Sequence, residues 1–171
     1  MIDEKMETML NKQLNAELYS SNLYLAMAAW FGSQHLGGLA HWLETQATEE
    51  REHAMRLYTH LRDRRATIQI GTVAAPPAGY KSPVAAFEAV FDHEVEVSQM
   101  IYRLVEAATT ERDFTTVNML QWFISEQVED EAGCEIILEH LRMANGSAAG
   151  FLQIDHEVGK SVKPVGVGSA T

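Results

Sequence analysis

Glu50 and His53 stand three residues apart in the stretch Glu49-Glu50-Arg51-Glu52-His53. At that spacing on a helix, a carboxylate and an imidazole share one face and can aim two metal-ligand atoms at a single point. The rest of that face is largely apolar. The steps Leu39, Leu43, Gln46, Glu50, His53, Leu57 trace a core seam with the two polar groups near its middle. An ionised carboxylate in a dry core costs several kcal/mol unless a cation or a hydrogen-bonding partner compensates it. Three further seams carry the same interruption. Glu17 breaks the series Leu10, Leu14, Ser21, Tyr24, Ala28, Phe31; Glu94 breaks Phe87, Phe91, Ser98, Ile101, Val105, Ala108; and Gln127 with Asp130 breaks Thr116, Leu120, Phe123, Cys134, Ile137, Leu141. An oxygen-rich set with one imidazole suits iron or manganese better than copper, and a shared carboxylate such as Glu50 could bridge two ions. Taken singly, each polar residue could equally be a register device or a solvated side chain; the four together point to one site.

Positioning such a set needs long helices that cross at their midpoints. Periodicity predicts a helix from about Asp3 to Phe31, a break at Gly32 to Gly38, and a second helix from about Leu36 to Arg64 folded back against the first. Ala66 to Lys81 holds Gly71, Pro76-Pro77 and Gly79, which forbid a continuous helix. At about 3.3 Å per residue it is long enough to return along a helix as a crossover. Ser82-Pro83 supplies an N-cap and a first-turn proline for a third helix, Thr109 to Asp113 is a polar turn, and a fourth helix runs on to Asn145-Gly146. A short fifth helix is expected at about 147–158, serving contacts between subunits, and 159–171 is expected to be a flexible tail. The reading is an all-α single domain spanning 1–171, with a four-helix bundle at about 3–144.

The chain has 171 residues and a net charge of -11, which disfavours nucleic acid and anionic membranes as partners and favours cations. No apolar run approaches membrane-spanning length, and Met1-Ile2-Asp3-Glu4 lacks the order of a signal peptide, so a cytoplasmic location is expected. With one cysteine, Cys134, there is no Cys-x-x-Cys site, and Cys134 reads as a small core residue. His35, His41, His60, His93, His140 and His156 belong to no second Glu-x-x-His pair and read as surface or structural.

Four motifs together give this chain a resemblance to the bacterial non-haem ferritins over nearly its whole length: Gln13-Leu14-Asn15-Ala16-Glu17, Glu49-Glu50-Arg51-Glu52-His53, Glu94, and Gln121-Trp122-Phe123-Ile124-Ser125-Glu126-Gln127-Val128-Glu129. The resemblance implies a ferritin-like four-helix bundle with a long crossover between helices 2 and 3. It implies that Glu17, Glu50 and His53 hold one iron of a di-iron centre and that Glu50 and Glu94 hold the other, with Gln127 as a neutral hydrogen-bonding neighbour. Glu49, Glu126 and Glu129 match the family's third iron site, and Asp130, where a glutamate is usual, lies between the two groups. The shortened side chain puts occupancy of that third site in question. Tyr24 matches a tyrosine taken to supply an electron during oxygen reduction, while Trp122 reads as packing. The implied activity is a ferroxidase that oxidises Fe(II) with dioxygen or hydrogen peroxide and stores ferric mineral in a hollow homo-oligomeric shell of twenty-four subunits, without haem. Bacterioferritin is a close rival, but its second Glu-x-x-His is Gln127-x-x-Asp130 here and its haem-binding methionine is Glu52. A rubrerythrin-like peroxidase would add a Cys-x-x-Cys domain. A helical module that only binds other proteins would have little use for an acidic seam.

Overall fold

A computed structural model describes residues 2–161. It contains five helices: α1 (Glu4–Ser33), α2 (Gly37–Asp63), α3 (Pro83–Thr110), α4 (Phe114–Met143) and α5 (Ala148–Ser161). Side-chain caps start four of them, including Ser147 of α5, which accepts from the Gly150 amide. Asp3 accepts from the Lys5 amide, Ser82 from Ala85 and Asp113 from Thr116, each satisfying an otherwise orphaned N–H. Short turns pair α1 with α2 and α3 with α4. His35, Arg65, Arg112 and Asn145 each take positive φ at the ends of those helices.

The apolar side chains form two clusters. One joins the C-terminal half of α1 (Leu23 to Phe31) to the N-terminal halves of α2 and α3 and to Cys134, Ile137, Leu138 and Leu141 of α4. The other joins Met6, Leu10 and Leu14 of α1 to Leu57 and Leu61 of α2, Val97 to Ala108 of α3, and Leu120 and Phe123 of α4. The starts of α2 and α3 therefore lie at one end, so these two helices are parallel, and a long crossover is required between them. Two asparagines of α1 clamp that crossover as a strand neighbour would. Asn11 donates to Thr67 O (2.8 Å) and accepts from the Gln69 amide (2.7 Å). One turn later Asn15 donates to Gln69 O (2.7 Å) and accepts from the Gly71 amide (2.6 Å). Further along, Tyr80 packs edge-on against Trp30 at 5.5 Å between ring centroids.

The fifth helix departs from expectation in two ways. It is docked within its own chain, burying Val158 and packing Phe151 and Ile154 against the first cluster. α2 begins at Gly37 with no side-chain cap of its own, and Asp155 of α5 accepts a hydrogen bond from the Leu39 amide at 2.8 Å. The helices approach so closely that a Cβ on Gly38 would lie 1.9 Å from the Asp155 carbonyl oxygen, and one on Gly159 would lie 3.0 Å from Gly38 Cα. Gly159 thus serves contact, not flexibility, and α5 continues through Gly159 and Lys160 to Ser161. The remainder of the expected tail, 162–171, lies outside the described residues.

Candidate metal centre

Between the two apolar clusters lies a polar layer contributed by the middle of every long helix. Glu17, Glu50, His53, Glu94 and Gln127 are all buried there. Glu17, Glu50 and His53 bring one ligand atom each within 4.8 Å of one another, and so do Glu50, Glu94 and Asp130. Glu50 is common to both groups, as expected of a bridging carboxylate. His53 Nδ1 lies 3.6 Å from Glu50 Oε2, so the i, i+3 spacing does converge two donor atoms.

Side chains around the layer hold these groups in place. Gln13, one turn before Glu17, donates to Glu17 Oε1 at 2.8 Å. Tyr24 donates to Glu94 Oε1, and Gln127 Nε2 lies 3.2 Å from Glu94 Oε2 and 3.3 Å from Ser98 Oγ. Ser98 in turn donates to Glu131. His53 is packed edge-on by Trp122 (5.2 Å) and Phe123 (5.8 Å), and the Arg56 guanidinium caps the Trp122 ring at 3.8 Å.

The electrostatics are those of acids short of a cation. Burial, followed by the charge of Glu50, pushes Glu17 well above the usual carboxylate range; burial and the charge of Glu94 do the same to Glu50. Glu94 is raised by burial despite the hydrogen bonds from Tyr24 and Gln127. Asp130 is pushed up to about 8 by burial and by Glu94. Among the described residues four buried oxygens have no hydrogen-bond partner: Gln13 Oε1, Glu17 Oε2, Glu50 Oε2 and Asp130 Oδ2. Three belong to the two ligand groups. Buried polar atoms are nearly always satisfied, so these fit two cations that they would coordinate directly.

The remaining candidates are placed differently. Glu49 and Glu129 are exposed and Glu126 is half-buried, and all three stand outside both compact groups. Glu49 is raised by burial, with Glu126 adding to the shift, and both also act on Asp130, so an acidic path leads outward from the second group. Asp130 itself faces Glu50 and Glu94, which makes it part of the second position as well as a neighbour of the outer acids. Tyr24 is fully buried, and burial and Glu94 raise its hydroxyl above the ordinary tyrosine value. Cys134 is buried and pushed up to about 12 by burial and the charge of Glu94, which makes it a poor thiolate.

Sequence reasoning missed Gln13, Glu131 and Arg56. Gln13 was legible as the i−4 neighbour of Glu17; Glu131 and Arg56 act across helices, and no spacing reveals them.

Comparison with known proteins gives a consistent result. The ferritin-like domain family matches residues 7–144. A bacterial non-heme ferritin of Bacteroides fragilis is 36% identical over 160 residues, covering 94% of this chain and 99% of the relative. One from Escherichia coli O157:H7 is 39% identical over 158 residues, covering 92% and 96%. Among solved structures, an open pore ferritin from the archaeon Archaeoglobus fulgidus superposes with a TM-score of 0.91 at 43% identity, covering 93% of this chain and 98% of that one.

Proposed function

This chain belongs to the ferritin family, and we propose on that premise that it stores iron as a ferroxidase, with Glu17, Glu50 and His53 taking one Fe(II) and Glu50, Glu94 and Asp130 the other. The observation that carries this reading is the pair of buried ligand groups sharing Glu50, with an unpartnered oxygen in each. Burial favours the protonated form of these carboxyls, and a bound cation favours the ionised form, so Fe(II) uptake and proton release are coupled. Each bound Fe(II) gives one electron to dioxygen or peroxide, and the chain holds the two ions close enough to react with one oxidant.

The surrounding residues set orientation. Gln13 holds Glu17, Gln127 and Tyr24 hold Glu94, and Trp122 and Phe123 hold the imidazole plane of His53. The fully buried aromatic and aliphatic side chains on either side keep bulk water away. Ferric product leaves along the acidic path Asp130, Glu126, Glu49 and Glu129, where a third ion binds in transit. The protein acts in the cytoplasm as a hollow homo-oligomer of twenty-four copies, without haem.

Anaerobic Fe(II) titration followed by a measured addition of dioxygen tests this reading. Two tightly held ions per chain and rapid loss of Fe(II) on oxygenation are expected. Binding of fewer than two, or oxidation no faster than in buffer, would refute it. Light scattering of the unmodified protein should give about twenty-four times the 19.1 kDa of the chain.

A further inference from the structure

The buried phenol of Tyr24 has an aromatic neighbour that leads away from the metal centre. The His93 ring of α3 meets Tyr24 edge-on, with ring centroids 5.9 Å apart and planes at 88°. On its other side His93 meets Tyr19 of α1 at 5.9 Å and 64°. His93 is fixed between them by Ser20, whose Oγ lies 2.8 Å from Nε2. Tyr24 is fully buried, whereas Tyr19 and His93 are partly open to solvent. Beyond Tyr19, Tyr80 is raised by burial and by the nearby Tyr19 hydroxyl, and it packs edge-on against Trp30. A line of ring contacts therefore runs from the acid layer to the partly exposed face where the crossover passes α1.

We propose that Tyr24, His93 and Tyr19 form an electron relay that carries an oxidising equivalent from the metal centre to the protein surface. Electron transfer weakens exponentially with distance, and a ring in contact with both phenols couples them more strongly than aliphatic packing across the same gap. The relay rests on the ferroxidase reading and extends it. Tyr24 loses one electron to the dioxygen being reduced, as the fourth beside three from Fe(II) in its reduction to water, and its phenolic proton passes to Glu94, to which it already donates. Tyr19 then gives one electron through His93 to the Tyr24 phenoxyl, which recovers its proton from Glu94, while the proton of Tyr19 goes to water. Tyr19 is restored at the surface by one electron from a further Fe(II), which becomes Fe(III), and one proton from water. The buried site is thus cleared of a reactive radical, and His93 serves as a bridge with no net change.

Freeze-quench electron paramagnetic resonance on the full chain, after mixing Fe(II) protein with dioxygen, tests the relay. Wild type is compared with Tyr19→Phe, which keeps the ring and removes the oxidisable phenol, and with Tyr24→Phe, which identifies the Tyr24 signal by subtraction. The Tyr24 radical should live several-fold longer, or appear for the first time, in Tyr19→Phe. Equal lifetimes, or no radical in either protein, overturn the relay. Ferric product measured in the same samples reports separately on the ferroxidase reading. A second arm needs no iron: a soluble photo-oxidant, ruthenium tris-bipyridine with persulfate, is applied to metal-free protein. Oxidation of buried Tyr24 should occur in wild type and be lost in Tyr19→Phe, and equal oxidation in both would again overturn the proposal.

Discussion

Acids facing one another across a dry layer make the protonation of the empty site predictable in sign. Glu17, Glu50, Glu94 and Asp130 all have folded values raised above their unfolded ones. A raised carboxyl stabilises the fold fully below its unfolded value, and that stability is lost as pH climbs through the folded value. For Asp130 the window runs from 3.8 to about 8. The stability of metal-free protein, and with it the melting temperature, should therefore fall between about pH 4 and pH 8, with Asp130 contributing up to about 1.4 kcal/mol per pH unit and the three glutamates acting in the same direction. A saturating divalent cation should remove most of the slope, and calorimetry at a series of pH values checks both. Glu50→Gln keeps the volume and removes the shared charge. It should raise the metal-free melting temperature at pH 7.5, abolish fast iron oxidation and leave fewer than two ions bound per chain. Asp130→Asn separates the two positions: anaerobic titration should still find one tight ion, at Glu17, Glu50 and His53, with the second weakened. The buried polar residues of the layer were legible because each helix has only one core face and a charge there stands out against leucines. The placement of Asp130 was only half legible. Its position on the seam was evident, but its approach to Glu94 depends on how α3 and α4 pack.

At the scale of the element, helix boundaries followed from caps and periodicity. The expected ends at Phe31, Leu36 and Arg64 lie within two residues of the observed Ser33, Gly37 and Asp63. What the crossover does was hidden, since Asn11 and Asn15 look like ordinary polar positions of an amphipathic helix until the chain returns beside them. Asn11→Ala removes both bonds to Thr67 and Gln69 and leaves an amide unpaired. A loss of about 1–3 kcal/mol is expected, with faster amide exchange at Gln69. The docking of α5 was hidden for a similar reason: an apolar helix face does not say what it faces, and the Asp155 cap reaches α2 across 116 positions of sequence. Gly38→Ala should push α5 off while the four long helices persist, read as proteolysis in the turn 144–147 with little loss of circular dichroism. Asp155→Ala removes only the cap and should cost about 1 kcal/mol.

For the whole molecule, truncation after Asn145 bears on more than assembly. Because Val158, Phe151 and Ile154 cover the first apolar cluster, the shortened chain should stay helical but melt at a lower temperature, and light scattering should report smaller particles. The polar layer has a consequence of its own. It parts the interior into two separate apolar clusters, or compartments, that share helices, so each half resembles a separate folding unit joined by four rods. Without cations the layer insulates one compartment from the other. At alkaline pH, where its acids repel, the calorimetric enthalpy of unfolding should exceed the van 't Hoff value, as for two loosely linked transitions. A pair of divalent ions binding all four helices at the waist would weld the compartments into one cooperative unit and bring the two enthalpies together. In such a molecule the cargo, while it waits to be oxidised, is also the rivet that makes the bundle unfold as one body.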